Sequence, residues 1–366
     1  MQNYRGTFVN KNRDAWVEIN LGNLEHNISE IKNFLKENTE VLPEMFAVIK
    51  ADGYGHGSLM CAPTLLACGV SQFGVASIDE GIELRENKIK EPILVLGASP
   101  FWAMENAIKY DISVSIFTHE HLEIAQQLYK RLNKKLKAHI KIDTGMNRIG
   151  IDVQNANLYI KEVLNSDFIE LQGVFTHFAD VENPAIFKRQ IEEFESVVKP
   201  FEKEFKQKNI KIHCLNSPGL FSYSKKSYDM VRMGIIMWGL NPYSKKENIE
   251  NMLPVMGLKA RITNIHTLRK DDGISYGHTY IAKNDIKVAT IPIGYADGVA
   301  RALSGRITAV LNGKEIKQIG RITMDQMMFD ITNVDCQIGD VITLLGDENK
   351  IDTIDTWAQK LDTINY

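Results

Sequence analysis

Charge of one sign is what this 366-residue chain has least of: 43 Lys and Arg against 46 Asp and Glu leave a net charge of -3 at neutral pH. That balance offers no basic face to a nucleic acid or an anionic membrane, so a small molecule is the expected ligand. Long apolar runs are missing as well. No stretch approaches the roughly 20 apolar residues that span a bilayer. Cysteine is scarce, and Cys61, Cys68, Cys214 and Cys336 form no C-x-x-C pair. With an opening MQNYRGTFVNKNRD that lacks the apolar run of a secretory signal, this predicts a reduced, cytoplasmic protein with no metal site. Internal repeats, low-complexity tracts and heptads are likewise missing.

What is present is a rhythm that changes once. With 44% apolar residues the chain can bury one large core or two cores. Short runs rich in β-branched or aromatic residues begin near Phe46, Phe73, Ile93, Ser113, Ala138, Val174, Ile212 and Met230, eight in all. Between most of them lie helical patterns, such as Leu24, Ile28, Ile31 and Leu35 on one helix face, or the charged periodic stretch from Pro184 to Phe205. Strand and helix alternating eight times predict a parallel sheet closed into a (β/α)8 TIM-type barrel, with an open doubly wound sheet as the alternative. The rhythm breaks at NPYSKKENIENMLP, residues 241 to 254, a polar stretch ending in proline. Beyond Leu258 helical periods almost vanish, and Val/Ile/Thr-rich segments alternate with Asp-Gly, Asn-Gly and Gly-Asp turns. The expected division is an α/β barrel over residues 1–245 and a smaller all-β domain over 246–366.

The barrel reading gives AVIKADGYGHG, residues 47 to 57, its interest. Barrel active sites lie at the carboxyl ends of the strands, and Lys50 stands at the end of the first. A lysine opening a loop is ordinarily a surface group. Here Gly53, Gly55 and Gly57 let the backbone turn tightly, while Tyr54 and His56 put polar tips on the same loop. A phosphate-loop nucleotide site is excluded, because that motif places its lysine after the glycines and before Ser or Thr. A lysine at a dry barrel mouth can lose its proton and form a Schiff base. If its partner is pyridoxal 5'-phosphate, a phosphate must be held too. Asn216-Ser217-Pro218-Gly219 after the seventh strand and Arg232-Met-Gly234-Ile235 at the eighth supply hydroxyl, amide and backbone N–H donors where barrels commonly bind phosphate.

AVIKADGYGHG, KIDTGMNRIG (141–150), FTHFAD (175–180), LNSPG (215–219), VRMGI (231–235), ISYGHTY (274–280), IPIGYADG (291–298) and GRITMDQ (320–326) stand in the order found in alanine racemases of the pyridoxal-phosphate, fold type III kind. The chain resembles that family from about Arg13 to Tyr366. The resemblance implies the following roles. Lys50 is the Schiff-base lysine and one acid/base group, and Tyr276 is the other. Arg232 faces the pyridine nitrogen, with His177 linked to it. Tyr54, Asn216, Ser217, Gly234 and Ile235 contact the phosphate. Arg148 and the Met324 backbone N–H face the substrate carboxylate. Lys141 is a lysine that carries a carbamate in many relatives, and Tyr295 and Arg301 line a narrow access corridor. It also implies a head-to-tail homodimer with shared active sites, alanine as substrate and D-alanine supply for the bacterial cell wall. Two departures stand out. Thr323 replaces the usual cysteine before Met-Asp. Relatives also continue past TINY to another active-site tyrosine, so the chain is trimmed or lacks it, and that tyrosine is assigned to nothing. The alternatives are a racemase of broader specificity and a fold III decarboxylase; the latter uses an acidic group where Arg232 stands.

Overall fold

A computed structural model describes residues 13–224, 227–243, 251–346 and 353–365. The chain forms two compact units. One comprises Glu25–Met237 and Pro242–Asn251, and the other contains the described residues up to Leu24, Trp238–Asn241 and those from Met252 onward.

After an N-terminal strand β1 (Ala15–Ile19), the first unit contains β2 (Glu44–Val48), β3 (Val70–Val75), β4 (Ile93–Val95), β5 (Ser113–Ile116), β6 (Leu136–Asp143), the two-residue β7 (Ile151–Asp152), β8 (Ile169–Phe175), β9 (Lys211–His213) and β10 (Met230–Met233). Apart from β7, which sits beside β6, these are the eight expected strands. They pair in parallel in the order β10-β2-β3-β4-β5-β6-β8-β9. Between β9 and β10 the ring closes through single bonds rather than a ladder: Asp229 N–H to the Ile212 carbonyl at 3.1 Å and Arg232 N–H to Leu215 at 3.0 Å. The result is a nearly closed (β/α)8 barrel.

Its strands are buried along almost their whole length, the mark of a parallel sheet covered on both faces. Phe46, Leu94, Phe175 and Met230 form an apolar cluster, and Gly74 makes room for it, since a Cβ there would lie 2.8 Å from the Phe46 ring. The helix Leu21–Asn38 buries Leu24, Ile28, Ile31 and Leu35 completely, the stripe that its period predicts. The stretch from Pro184 forms a helix to Val198, capped by the Asn183 side chain, and then breaks at Lys199–Phe201, where Pro200 cannot continue the hydrogen-bond ladder.

The second unit is an antiparallel sheet containing β11 (Met256–Arg261), β12 (Asn264–Leu268), β15 (Ile286–Ile291), β16 (Thr308–Leu311), β17 (Lys314–Ile319), β18 (Met327–Asp330) and β19 (Val341–Leu345), with a separate pair β13 (Gly273–Ile274) and β14 (Tyr280–Ile281). The Asn312-Gly313 turn joining β16 to β17 has φ of 50° and 73°, the left-handed pair that a two-residue hairpin needs. Two features depart from the sequence reading. A boundary at residue 245 leaves β1 with the barrel, whereas β1 pairs antiparallel with β11, Ala15 opposite Ala260 and Ile19 opposite Met256. The all-β unit also ends in a helix, Ile354–Leu361, capped by Thr353 and anchored in the sheet core by Trp357. Half of the linker reading, residues 244–250, lies outside the described residues.

Candidate active site

Lys50 follows β2 by two residues, and the backbone after it turns left-handed for five residues in succession: Ala51 at φ 52°, Asp52 at 51°, Gly53 at 63°, Tyr54 at 56° and Gly55 at 79°. Three of these are not glycine, at a cost of about 1–2 kcal/mol each. Such strain persists only where surroundings hold it. Here Gly53 N–H donates to Ile49, Gly55 N–H to Ala51 and Gly57 N–H to Asp52. The Asp52 carboxylate accepts from Ser58 N–H at 2.7 Å and from its hydroxyl. Lys50 Nζ lies 5.8 Å from the Tyr54 ring centre. Burial lowers the Lys50 pKa, the Arg148 cation lowers it further, and the Glu80 carboxylate opposes both.

Among the described residues no carboxylate is bonded to the buried arginine of this site. Arg232, 3% exposed, donates to the carbonyls of Thr176 (2.7 Å), Cys214 (2.9 Å) and His213 (3.2 Å) and to His213 Nδ1 at 3.0 Å, with His177 Nδ1 at 3.4 Å. Burial pulls its pKa down to about 10, which still leaves it charged at neutral pH. Because guanidinium only donates, His213 Nδ1 is the acceptor and the ring proton is on Nε2, which donates to His139 Nδ1 at 3.0 Å. Burial, and after it the Arg232 charge, hold both imidazoles neutral, with His139 pushed down to about 3. The Phe175 ring stacks on His213 at 4.9 Å, with Lys141 Nζ 5.2 Å and Arg232 Cζ 5.4 Å from its centre. Lys141, 2% exposed, falls to about 8 through burial, then Arg232, then Arg148, against the Asp143 carboxylate. Lys50, Lys141, Arg148 and Arg232 thus make one cationic cluster.

Two further segments complete this side. The KIDTGMNRIG loop is folded around Asp143, whose Oδ1 accepts from Gly145 and Asn147 N–H groups. It is closed by β6 and β7 pairing at Ile142 and Ile151, and pinned to β8 by the Thr144–Thr176 hydroxyl contact of 2.8 Å. At the other end Asn216 caps the helix Ser217–Tyr223, and Ser217 Oγ accepts from Gly234 N–H at 3.0 Å. A Cβ on Gly234 would lie 3.0 Å from Tyr54 Oη and 3.7 Å from Ser217 Oγ. Tyr54, Ser217 and Gly234, from three separate loops, therefore converge so closely that a side chain at Gly234 would crowd the two hydroxyls. Cations at one end and hydroxyl and amide donors at the other suit an elongated anion.

Residues 19–242 match the family model "Alanine racemase, N-terminal domain", and residues 255–366 match "Alanine racemase, C-terminal domain". The chain belongs to the alanine racemase family. As such it is a racemase, an isomerase by class. It is 38% identical to alanine racemase 1 of Oceanobacillus iheyensis over 98% of this chain and 96% of that protein, and 38% identical to alanine racemase of Nostoc sp. over 96% and 92%. Among solved structures, alanine racemase of Clostridium difficile 630 superposes with a TM-score of 0.87 at 35% identity, covering 96% of this chain and 92% of that one. The histidine racemase of Leuconostoc mesenteroides superposes at 0.86 and 29%, covering 97% and 94%.

Of the residues that the alanine racemase resemblance singles out, Lys50, Tyr54, Lys141, Arg148, His177, Asn216, Ser217, Arg232, Gly234 and Ile235 are in the barrel unit. Tyr276, Tyr295, Arg301 and Met324 are in the sheet unit. There Ser275, at φ 63°, donates its hydroxyl to the Arg321 carbonyl at 2.7 Å, and the next residue, Tyr276, is 70% exposed. Tyr295 and Ala296 N–H groups donate to Thr323 and Met324 carbonyls at 2.9 and 2.8 Å. Gly294 packs so tightly under this loop that a Cβ would meet Thr323 O at 2.3 Å. The Thr323 hydroxyl donates to the Gln326 carbonyl and accepts from its N–H, closing the turn that carries Met324. Sequence reasoning missed His213, His139 and Phe175. The first two sit in strands read only as core, and a histidine among Val and Ile gives no sign of which neighbour it faces.

Proposed function

We propose that the protein interconverts L- and D-alanine with pyridoxal 5'-phosphate by a two-base mechanism. The observation that carries this reading is the cationic cluster of Lys50, Lys141, Arg148 and Arg232 together with the converging donors of Tyr54, Ser217 and Gly234, which suit an anionic ring bearing a phosphate. Lys50 would hold the cofactor covalently, and Tyr54, Asn216, Ser217, Gly234 and Ile235 its phosphate. Bound there, the cofactor supplies an electron-withdrawing ring that acidifies the Cα–H of an attached amino acid.

The chain's own residues do the rest. Arg232 keeps its proton and donates to the ring nitrogen, leaving that nitrogen unprotonated and the ring a weaker electron sink, which discourages transamination. His177 steadies that guanidinium. Arg148 and the Met324 N–H bind the substrate carboxylate. Lys141, with its pKa near 8, has about a tenth of its amine neutral at pH 7, the form that takes up carbon dioxide; the carbamate would turn a cation into an acceptor for Arg148. Tyr295 and Arg301 narrow the access corridor. Lys50 Nζ takes the Cα proton of D-alanine, and Tyr276 Oη that of L-alanine, from opposite sides. Because the Tyr276 ring is largely exposed, the tyrosine facing each Lys50 is that of the partner subunit in a head-to-tail homodimer. The setting is cytoplasmic supply of D-alanine for peptidoglycan. Among the described residues no helix is long and apolar enough to cross a membrane.

The resemblance of the fold to a histidine racemase favours one second reading, a broader substrate range. Isotope exchange separates the assignments. In Tyr276→Phe, exchange of the Cα proton with deuterated solvent should fall about 100- to 10,000-fold from L-alanine and persist from D-alanine. Equal loss from both overturns the two-base assignment. Racemisation of a panel of single enantiomers reads the range directly, and rates on bulky residues comparable to that on alanine would establish the broader range in place of alanine specificity.

A further inference from the structure

Ser77-Ile-Asp-Glu80 has the S-x-x-E pattern of a capping box, in which the glutamate would turn back to the Ser77 N–H. Half the box forms: Ser77 Oγ accepts from Glu80 N–H at 3.3 Å at the start of the helix Ile78–Glu86. The Glu80 carboxylate goes elsewhere. Its Oε2 accepts from Ala76 N–H at 2.7 Å, at the end of β3, and its Oε1 from Ala51 N–H at 2.8 Å. Ala51 is the first residue of the left-handed turn and the one directly after Lys50. The Gly53, Gly55, Gly57 and Asp52 bonds described above come from within the turn or from its flanks; this one reaches across from the neighbouring strand's loop. The same carboxylate faces the Lys50 ammonium, which is otherwise faced by Arg148 from the loop after β6, by His177 from the end of β8 and by the Tyr54 ring. Asp52, on the same turn, is turned to Ser58.

We propose that Glu80 is a positioning residue for Lys50: its carboxylate bridges the Ala51 and Ala76 N–H groups, fixes the left-handed turn that aims the lysine, and sets an anion against its ammonium. The importance of Lys50 rests on the functional reading above, but the geometry around Glu80 does not. The charge effect has a definite direction. With Arg148 and burial favouring the free amine, Glu80 holds back part of its formation, so its loss should make Lys50 more nucleophilic near neutral pH.

The test uses the full chain freed of bound cofactor by dialysis with hydroxylamine, so that it needs neither cofactor nor racemase activity. The rate at which acetic anhydride labels Lys50, followed by peptide mass spectrometry, is measured against pH, with hydrogen exchange of the peptide 49–57 alongside. In Glu80→Gln, labelling at pH 7 to 8 should rise about 3- to 10-fold as the profile moves to lower pH, and exchange of the turn should quicken. Glu80→Asp keeps the charge but is too short to bridge both N–H groups, so the turn should exchange faster while the labelling profile stays within about twofold of the native one. Native labelling and native exchange in both variants overturn the proposal, as does a change in overall melting without any change in either readout. Failure of labelled Lys50 to be the cofactor's attachment point would instead sink the functional reading and leave this result standing.

Discussion

Arg232 carries a charge through the centre of the barrel unit with carbonyls and imidazoles as its hydrogen-bond partners. Neutral acceptors tolerate a buried cation when they engage most of its N–H groups, and the His213–His139 pair contributes by accepting on one nitrogen and passing the donor on. The resemblance pointed to His177 as the partner; the shorter contact is to His213, a residue inside the strand segment IHCL that no spacing rule distinguishes from core. These histidines set an acid limit. His139 is held near pKa 3 in the fold against an ordinary 6.5. Above 6.5 it is neutral folded or unfolded and contributes nothing to pH dependence. As pH falls from 6.5 towards 3 only the unfolded chain takes up the proton, and stability drops by about 1.4 kcal/mol per pH unit for this group. Urea unfolding of native protein and His139→Gln at several pH values should show the variant less stable near pH 7 but with a shallower fall, by about one proton, between pH 6 and 4. Parallel slopes would remove His139 from the account.

At the level of elements, the alternation of glycine after Lys50 announced a special turn, but not its hand or length. Ala51, Asp52 and Tyr54 adopt left-handed angles that their types alone disfavour, and one of the groups bonded to this turn, Glu80, lies 29 residues on from Ala51 in a segment that reads as an ordinary helix start. The helix Ile354–Leu361 was unread for a similar reason, since eight residues give too few periods to stand out. The resemblance names Gly234 as a phosphate contact, and its surroundings give that proposal a physical test. Gly234→Ala places a methyl 3.0 Å from Tyr54 Oη and 3.7 Å from Ser217 Oγ, where the phosphate is proposed to sit. Pyridoxal phosphate should bind about 10- to 100-fold more weakly to the variant, from the loss of one or two charge-assisted hydrogen bonds. Pyridoxal, which has no phosphate, should bind both proteins alike. Equal weakening of the two compounds would move the phosphate away from Gly234.

For the whole molecule, both architectures were legible because each has its own period, 3.6 alternating with strands in the barrel and 2 in the sheet. The place of β1 was not, because its partner β11 begins more than 230 residues later and nothing local to AWVEI names it. The same long-range blindness bears on the active site. Lys50 and Tyr276 belong to different units, and the proposed pairing of one subunit's lysine with the partner subunit's tyrosine makes a count that a site within one subunit does not. Lys50→Ala and Tyr276→Phe homodimers each lack one base at both sites. When their subunits exchange at random, half of the dimers are hybrids. Each hybrid has one site with neither base and one site with both, the lysine from the Tyr276→Phe subunit and the tyrosine from the Lys50→Ala subunit. Half the dimers with half their sites intact should restore about a quarter of native activity. Mass spectrometry of subunits labelled with heavy nitrogen measures the hybrid fraction, and activity should rise in proportion to it. Hybrids that form without any activity would place both bases within one subunit and end the shared-site proposal.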